Sequence, residues 1–188
     1  LLTVISLYTV RVTLDLLGVV DYGIYAVIGS VVASLGFLTG TLTSATQRYL
    51  SFHLGKHDYE AYSKTFSLLV VGFIVISIVL ILIGEVVGIF FVNDWLNIPI
   101  NRLNAAKLVY QATIFTFIFH LLTIPYSSSI VANEKMSAFA YISIADGVMK
   151  LGIVYLLLIT DSDRLILYGW LALAQSIIAF AIYVMYCN

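Results

Sequence analysis

Residues 65–84 read TFSLLVVGFIVISIVLILIG, with no charged side chain between Lys64 and Glu85. No other feature narrows the possible folds so far. The hydrocarbon core of a bilayer, about 30 Å thick, takes roughly 20 apolar residues of helix to cross. Backbone groups in lipid have to be satisfied inside the segment, so even a run this rich in β-branched residues is expected to be helical. Similar runs fill the rest of the chain. They give six expected spans, at 1–17, 22–46, 65–92, 105–132, 138–159 and 164–187. Composition separates this pattern from a set of buried soluble helices. Of 188 residues, 62% are hydrophobic and 10% are charged, against about 25% charged in a soluble domain, and mean hydropathy is +1.06. The expected fold is all-α: a polytopic membrane protein whose roughly six transmembrane helices form one bundle, in a single domain spanning residues 1–188.

The longest polar passage, TLTSATQRYLSFHLGKHDYEAYSKTFS at 41–67, reads as the connection between the second and third spans, with its turn at 53–58. Other connections are expected at 18–21, at 93–104 (where Pro99 sits in a NIPI turn), at 133–137 and at 160–163. Arg48, Lys56, Lys64 and Lys135 lie on the side of the polar passage. Arg102, Lys107 and Arg164 lie on the other, with Arg11 close to it. The near tie leans the passage toward the cytoplasm. Tyr and Phe recur near segment ends, as in interfacial belts. Leu1 lies inside an apolar run and Asn188 follows another, so the chain is expected to be a fragment of a longer protein.

Several function classes are not signalled. A net charge of −1 supplies no field for nucleic acid. The single cysteine, Cys187, sets up no disulfide framework. There is no Walker loop, no GxGxxG and no Cys/His metal spacing, so no cofactor is expected. His53 and His57, four residues apart beside a turn, read as solvated loop histidines or a weak metal pair.

Charges inside spans are costly, at least about 2.5–3.5 kcal/mol near the bilayer centre, and so point to function. Asp146 and Lys150 share a helical face in SIADGVMKLGI. They are either a charged patch on a water-filled cavity, able to hold an anionic headgroup or a proton, or a self-neutralising pair packed in the bundle. Arg11 and Asp15 repeat the spacing near a membrane boundary, where snorkelling is the alternative. His120 is a candidate for proton coupling or a plain hydrogen-bonding residue, and Glu85 reads as interfacial. Pro125 is expected to bend or break its span and to free the Leu121 carbonyl, which Ser127, Ser128 and Ser129 could satisfy. The small residues Gly29, Ala33, Gly36, Gly40 and Ser44, with the pairs Gly36–Gly40 and Gly84–Gly88, signal close helix packing.

Four stretches taken together carry a resemblance: SLYTVRVTLDLLGVVDYGIYAVIGSVV at 6–32, LTSATQRYLSFHLGKHD at 42–58, IPYSSSIVANEKMSAFAYISI at 124–144, and the ending YVMYCN. The sequence resembles the N-terminal half of Wzx-type polysaccharide exporters, within the multidrug/oligosaccharidyl-lipid/polysaccharide exporter superfamily. That resemblance covers nearly the whole chain, and LGVVDYGIY and ATQRYLSF are its most specific parts. It implies two six-helix, MATE-like bundles around a central cavity, of which this chain supplies the first. It also implies a non-enzymatic flippase of the bacterial inner membrane, which moves an undecaprenyl-pyrophosphate-linked oligosaccharide to the periplasmic leaflet during O-antigen or capsule assembly. Its partners would be the lipid-linked oligosaccharide, the bilayer, and a polysaccharide polymerase or other assembly proteins. The family's cationic cavity residues suggest Arg11, Arg48 and Lys150 as substrate-binding candidates, with Asp146 and His120 as ion-coupling candidates. A multidrug exporter of the same superfamily, a polytopic membrane enzyme and a structural membrane subunit stand as alternatives.

Overall fold

The computed structural model describes residues 2–90, 102–159 and 163–187. Among the described residues are six helices and no strand: α1 (Leu2–Ala33), α2 (Gly36–Gly55), α3 (Tyr59–Phe90), α4 (Leu103–Ala132), α5 (Met136–Ile159) and α6 (Arg164–Cys187). Five of them carry stretches long and apolar enough to cross a membrane: Leu7–Ala33, Tyr59–Gly88, Leu103–Ala132, Met136–Ile159 and Arg164–Cys187. The chain is a helical, multi-pass membrane protein.

The first two expected spans are partitioned differently from the sequence reading. Helix α1 contains one non-helical residue, Gly18, at φ 76° and ψ 168°, a conformation open almost only to glycine. Thr9 and Tyr25, on either side of it, line one cavity. A straight helix would separate them by roughly 24 Å, so the two arms of α1 fold toward each other at Gly18. The expected uninterrupted span at 22–46 gives way at Ser34–Leu35. There the Leu35 amide bonds to the Val32 carbonyl and the Leu38 amide to Leu35, a tighter spacing than α. The Ser30 and Ser34 hydroxyls donate to the Val27 and Val31 carbonyls beside the break, at 2.8 and 2.6 Å; the same back-bonding occurs along unbroken α4 and does not by itself set the break. Helix α2, with its Thr, Ser, Gln47 and Arg48, is not among the five apolar spans.

Helix α4 is the centre of the bundle and packs against each of the other five. Its Val109, Ile114, Ile118 and Leu121 are buried against Leu17, Ile24 and Ile28 of α1, Phe73 of α3 and Leu165 of α6. Pro125 leaves α4 unbroken. The expectation that the following serines serve the Leu121 carbonyl is corrected. Ser127 donates to the Ile124 carbonyl at 3.1 Å, Ser129 pairs with Tyr62, and the buried Ser128 hydroxyl has no partner among the described residues. A helical serine reaches back three or four residues, so residues 127–129 lie too far along to reach residue 121.

The two glycine pairs part company. A Cβ on Gly88 would run into the Tyr110 ring, and one on Gly84 would lie 2.9 Å from Ile114. The Tyr110 hydroxyl donates to the Gly84 carbonyl at 2.8 Å. The α3–α4 contact thus depends on Gly84 and Gly88. Gly29, Gly36 and Gly40 face nothing within 4 Å, so their stripe has no packing partner among the described residues.

The ends of the helices define two faces. One carries the short turns at 56–58 and 133–135, where His57 and Glu134 take positive φ and the Asp58 carboxylate accepts from the Ala61 amide at the start of α3. On the other face, Arg102 bridges Asp21 (3.0 Å) and Asp163 (2.8 Å), and Arg164 donates to the Leu16 carbonyl at 3.1 Å. These contacts tie the Gly18 hinge to the starts of α4 and α6. The expected Pro99 turn, with the rest of 93–101, and residues 160–162 of the expected 160–163 turn lie outside the described residues.

Candidate functional site

Most polar side chains within the spans are satisfied locally. Thr113, Thr116, Thr123, Ser143 and Ser176 each donate to a carbonyl one turn back, at 2.7–2.8 Å. That option is closed to longer or charged side chains, which need partners across helices or water. Asp146 and Lys150 near the middle of α5, His120 of α4 and Gln175 near the middle of α6 are the side chains of this kind that come together.

Lys150 Nζ lies 2.9 Å from Asp146 Oδ2. The other carboxylate oxygen accepts from Gln175 Nε2 at 2.8 Å, and the same amide reaches the Asp146 carbonyl at 3.3 Å. Gln175 is buried, while the Lys150 side chain is 47% exposed and that of Asp146 25%. The acid is therefore held from two helices and the base from one side only.

The exposure of Lys150 opens into cavities. A recess of about 360 Å³ runs from this group toward the face of the two turns, past Thr123, Ser127, Ser143 and Tyr183. A second recess of about 180 Å³ runs the other way, past Thr116, Tyr168, Tyr25 and Thr9. His120 and Lys150 line both, so they stand where the two recesses meet. The His120 ring makes no hydrogen bond among the described residues, yet it lies close enough to feel the charges of both Asp146 and Lys150. In the second recess, Tyr25 and Tyr168 meet edge to face at 4.8 Å.

Of the five candidates read from the sequence, Lys150, Asp146 and His120 lie together here. Arg11 on the first arm of α1 and Arg48 on α2 are exposed; neither forms an ion pair among the described residues, and neither lines these recesses. Asp15 is exposed as well, and no ion pair joins it to Arg11. Sequence reading missed Gln175. Its only signal was an amide in the otherwise apolar run LALAQSIIAF. His53 and His57 sit at the end of α2 and in the following turn, and no group of three or more potential metal ligands occurs among the described residues.

The arrangement supplies a half-exposed cation paired on one side, a carboxylate with a second partner on another helix, and an imidazole beside both. No protein-family model matches the chain, and neither a curated protein nor a solved structure matches it.

Proposed function

We propose that the chain is one bundle of a two-bundle, MATE-like membrane transporter that flips a lipid-linked, pyrophosphate-bearing oligosaccharide between leaflets by alternating access. The observation that carries this reading is Lys150: a half-exposed cation near mid-bundle that lines both recesses. A recess of about 360 Å³ is too small for an oligosaccharide but has room for its anionic head. Arriving phosphate oxygens compete with Asp146 for the ammonium through charge-assisted hydrogen bonds. Asp146 tolerates the loss because Gln175 continues to hold it. His120 and Asp146 are the groups through which an ion gradient would act. Arg48, exposed near the face of the turns, is a candidate first contact for the headgroup. The resemblance to Wzx-type exporters supports the substrate class, the bacterial inner membrane and the link to polysaccharide assembly.

The test is made in cells. Lys150→Ala in the intact protein should lower export of surface polysaccharide at least about tenfold, the weight of one charge-assisted contact of roughly 1.5–3 kcal/mol. Protein level should be unchanged, and the lipid-linked precursor should accumulate on the cytoplasmic leaflet. Wild-type export from the variant would remove Lys150 from the site. Normal surface polysaccharide after clean deletion, with no second exporter present, would sink the flippase reading.

A further inference from the structure

A different recess, of about 240 Å³, opens where α3 and α5 begin and α4 and α6 end. It lies at the membrane boundary rather than at mid-bundle, and it shares no residue with the charged cavity. Phe66, Ile130 and Tyr186 give it apolar walls. Tyr62, Asn133 and Lys135 give it polar groups. The Asn133 amide donates to the Tyr62 hydroxyl at 3.1 Å and to the Ser129 carbonyl at 2.8 Å. The Tyr62 and Ser129 hydroxyls share one hydrogen bond at 2.7 Å. Whichever of these two donates, one hydroxyl hydrogen is left over. Ser129 also lies within reach of the Cys187 sulfur, a weak acceptor that an anionic oxygen outcompetes. Lys135 is exposed, makes no ion pair among the described residues, and holds its ammonium 5.6 Å from the centre of the Tyr186 ring. Of the nearby acids, Glu134 is exposed on the turn and Glu60 is engaged by Lys64 at 2.6 Å.

We infer that this recess is a binding site for the phosphodiester headgroup of an anionic membrane phospholipid. The polar groups meet the phosphate, and the apolar walls meet the start of the acyl chains. The chemistry follows from depth: a lone cation and a spare hydroxyl above aromatic walls match the boundary between headgroup and hydrocarbon. The inference does not rest on the transport reading.

Cys187 lines the recess and provides the readout. The intact protein is placed in lipid nanodiscs, and the rate at which a neutral maleimide alkylates Cys187 is measured. Discs of phosphatidylcholine alone are compared with discs containing phosphatidylglycerol, and with phosphatidylcholine discs in buffered inorganic phosphate. Phosphatidylglycerol should slow labelling about fivefold, the weight of one lysine at an anionic surface. Lys135→Ala should lose that protection, Lys135→Arg should keep it, and Tyr62→Phe should weaken it. Protection that persists unchanged in Lys135→Ala reflects surface potential alone and overturns the site. Protection by inorganic phosphate in neutral discs would identify a soluble phosphate as the ligand and overturn the lipid assignment.

Discussion

Asp146 and Lys150 are held unequally, and that inequality is what makes the pair usable. A pair locked on both sides would be a structural brace. In the proposed cycle the lysine leaves while the Gln175 amide, 2.8 Å from the other oxygen, stays on the carboxylate. Gln175→Leu should therefore impair function by the opposite route to Lys150→Ala. The ammonium remains, but releasing it strands a partly buried carboxylate at a cost of about 1–3 kcal/mol. The expected result in a vesicle assay is a transport rate lowered about tenfold with substrate affinity also reduced, and restoration by Gln175→Asn only in part, since the shorter amide falls short. Unchanged rates would show that Lys150 does not need to leave Asp146. The pair itself was legible in the sequence: opposite charges four residues apart on a helix meet on one face, and an apolar run leaves them no nearer partner. Gln175 was not, because an uncharged amide on a separate helix acquires meaning only when packing brings it to Asp146. Arg11 and Arg48 show the converse. Both had a suitable charge near a span, but a charge pattern does not fix which way a helix face turns, and neither reaches the cavity.

At the level of helices, apolar length was the reliable signal and local hydroxyl chemistry the unreliable one. The runs at 65–92, 105–132, 138–159 and 164–187 correspond to α3, α4, α5 and α6 with modest differences at their ends. Gly18 falls in the expected connection at 18–21. The second span was misread because nothing in its apolar pattern marks the break at Ser34–Leu35, just before Gly36. The glycine pairs make the same point, since GxxxG spacing alone could not say which pair has a neighbour. Gly88→Ala should force the Tyr110 ring away from α3 and cost about 1–3 kcal/mol, the usual penalty for overpacking. Gly40→Ala, with open space around it, should raise stability by about 0.5–1 kcal/mol through helix propensity and a less flexible unfolded chain. Thermal unfolding of the two variants in detergent should move in opposite directions. A loss of stability in Gly40→Ala would mean that the stripe is packed in the assembled protein.

Over the whole molecule, the two recesses that meet at Lys150 run toward opposite faces. The larger recess extends toward the face of the turns, while the smaller one extends toward the face where Arg102 joins Asp21 and Asp163. A transporter that exposes its cavity to one side at a time needs a closure on the other. In the proposed transport cycle Arg102 would be that closure, because it holds the Gly18 hinge of α1 to the start of α6 from its position before α4. It is 37% exposed and Asp21 only 12%, so removing the arginine leaves a mostly buried carboxylate without its partner, a state relieved when the hinge moves outward into water. Arg102→Gln should therefore open the smaller recess to its own side of the membrane. Ala172 lines that recess and can report the change. In a Cys187→Ser background, Ala172→Cys should react severalfold faster with a membrane-impermeant thiol reagent applied from the Arg102 side once Arg102→Gln is added, and adding Asp21→Asn should bring the rate back toward its starting value by removing the stranded charge. An unchanged labelling rate in Arg102→Gln would show that the two ion pairs fasten loops without closing the recess.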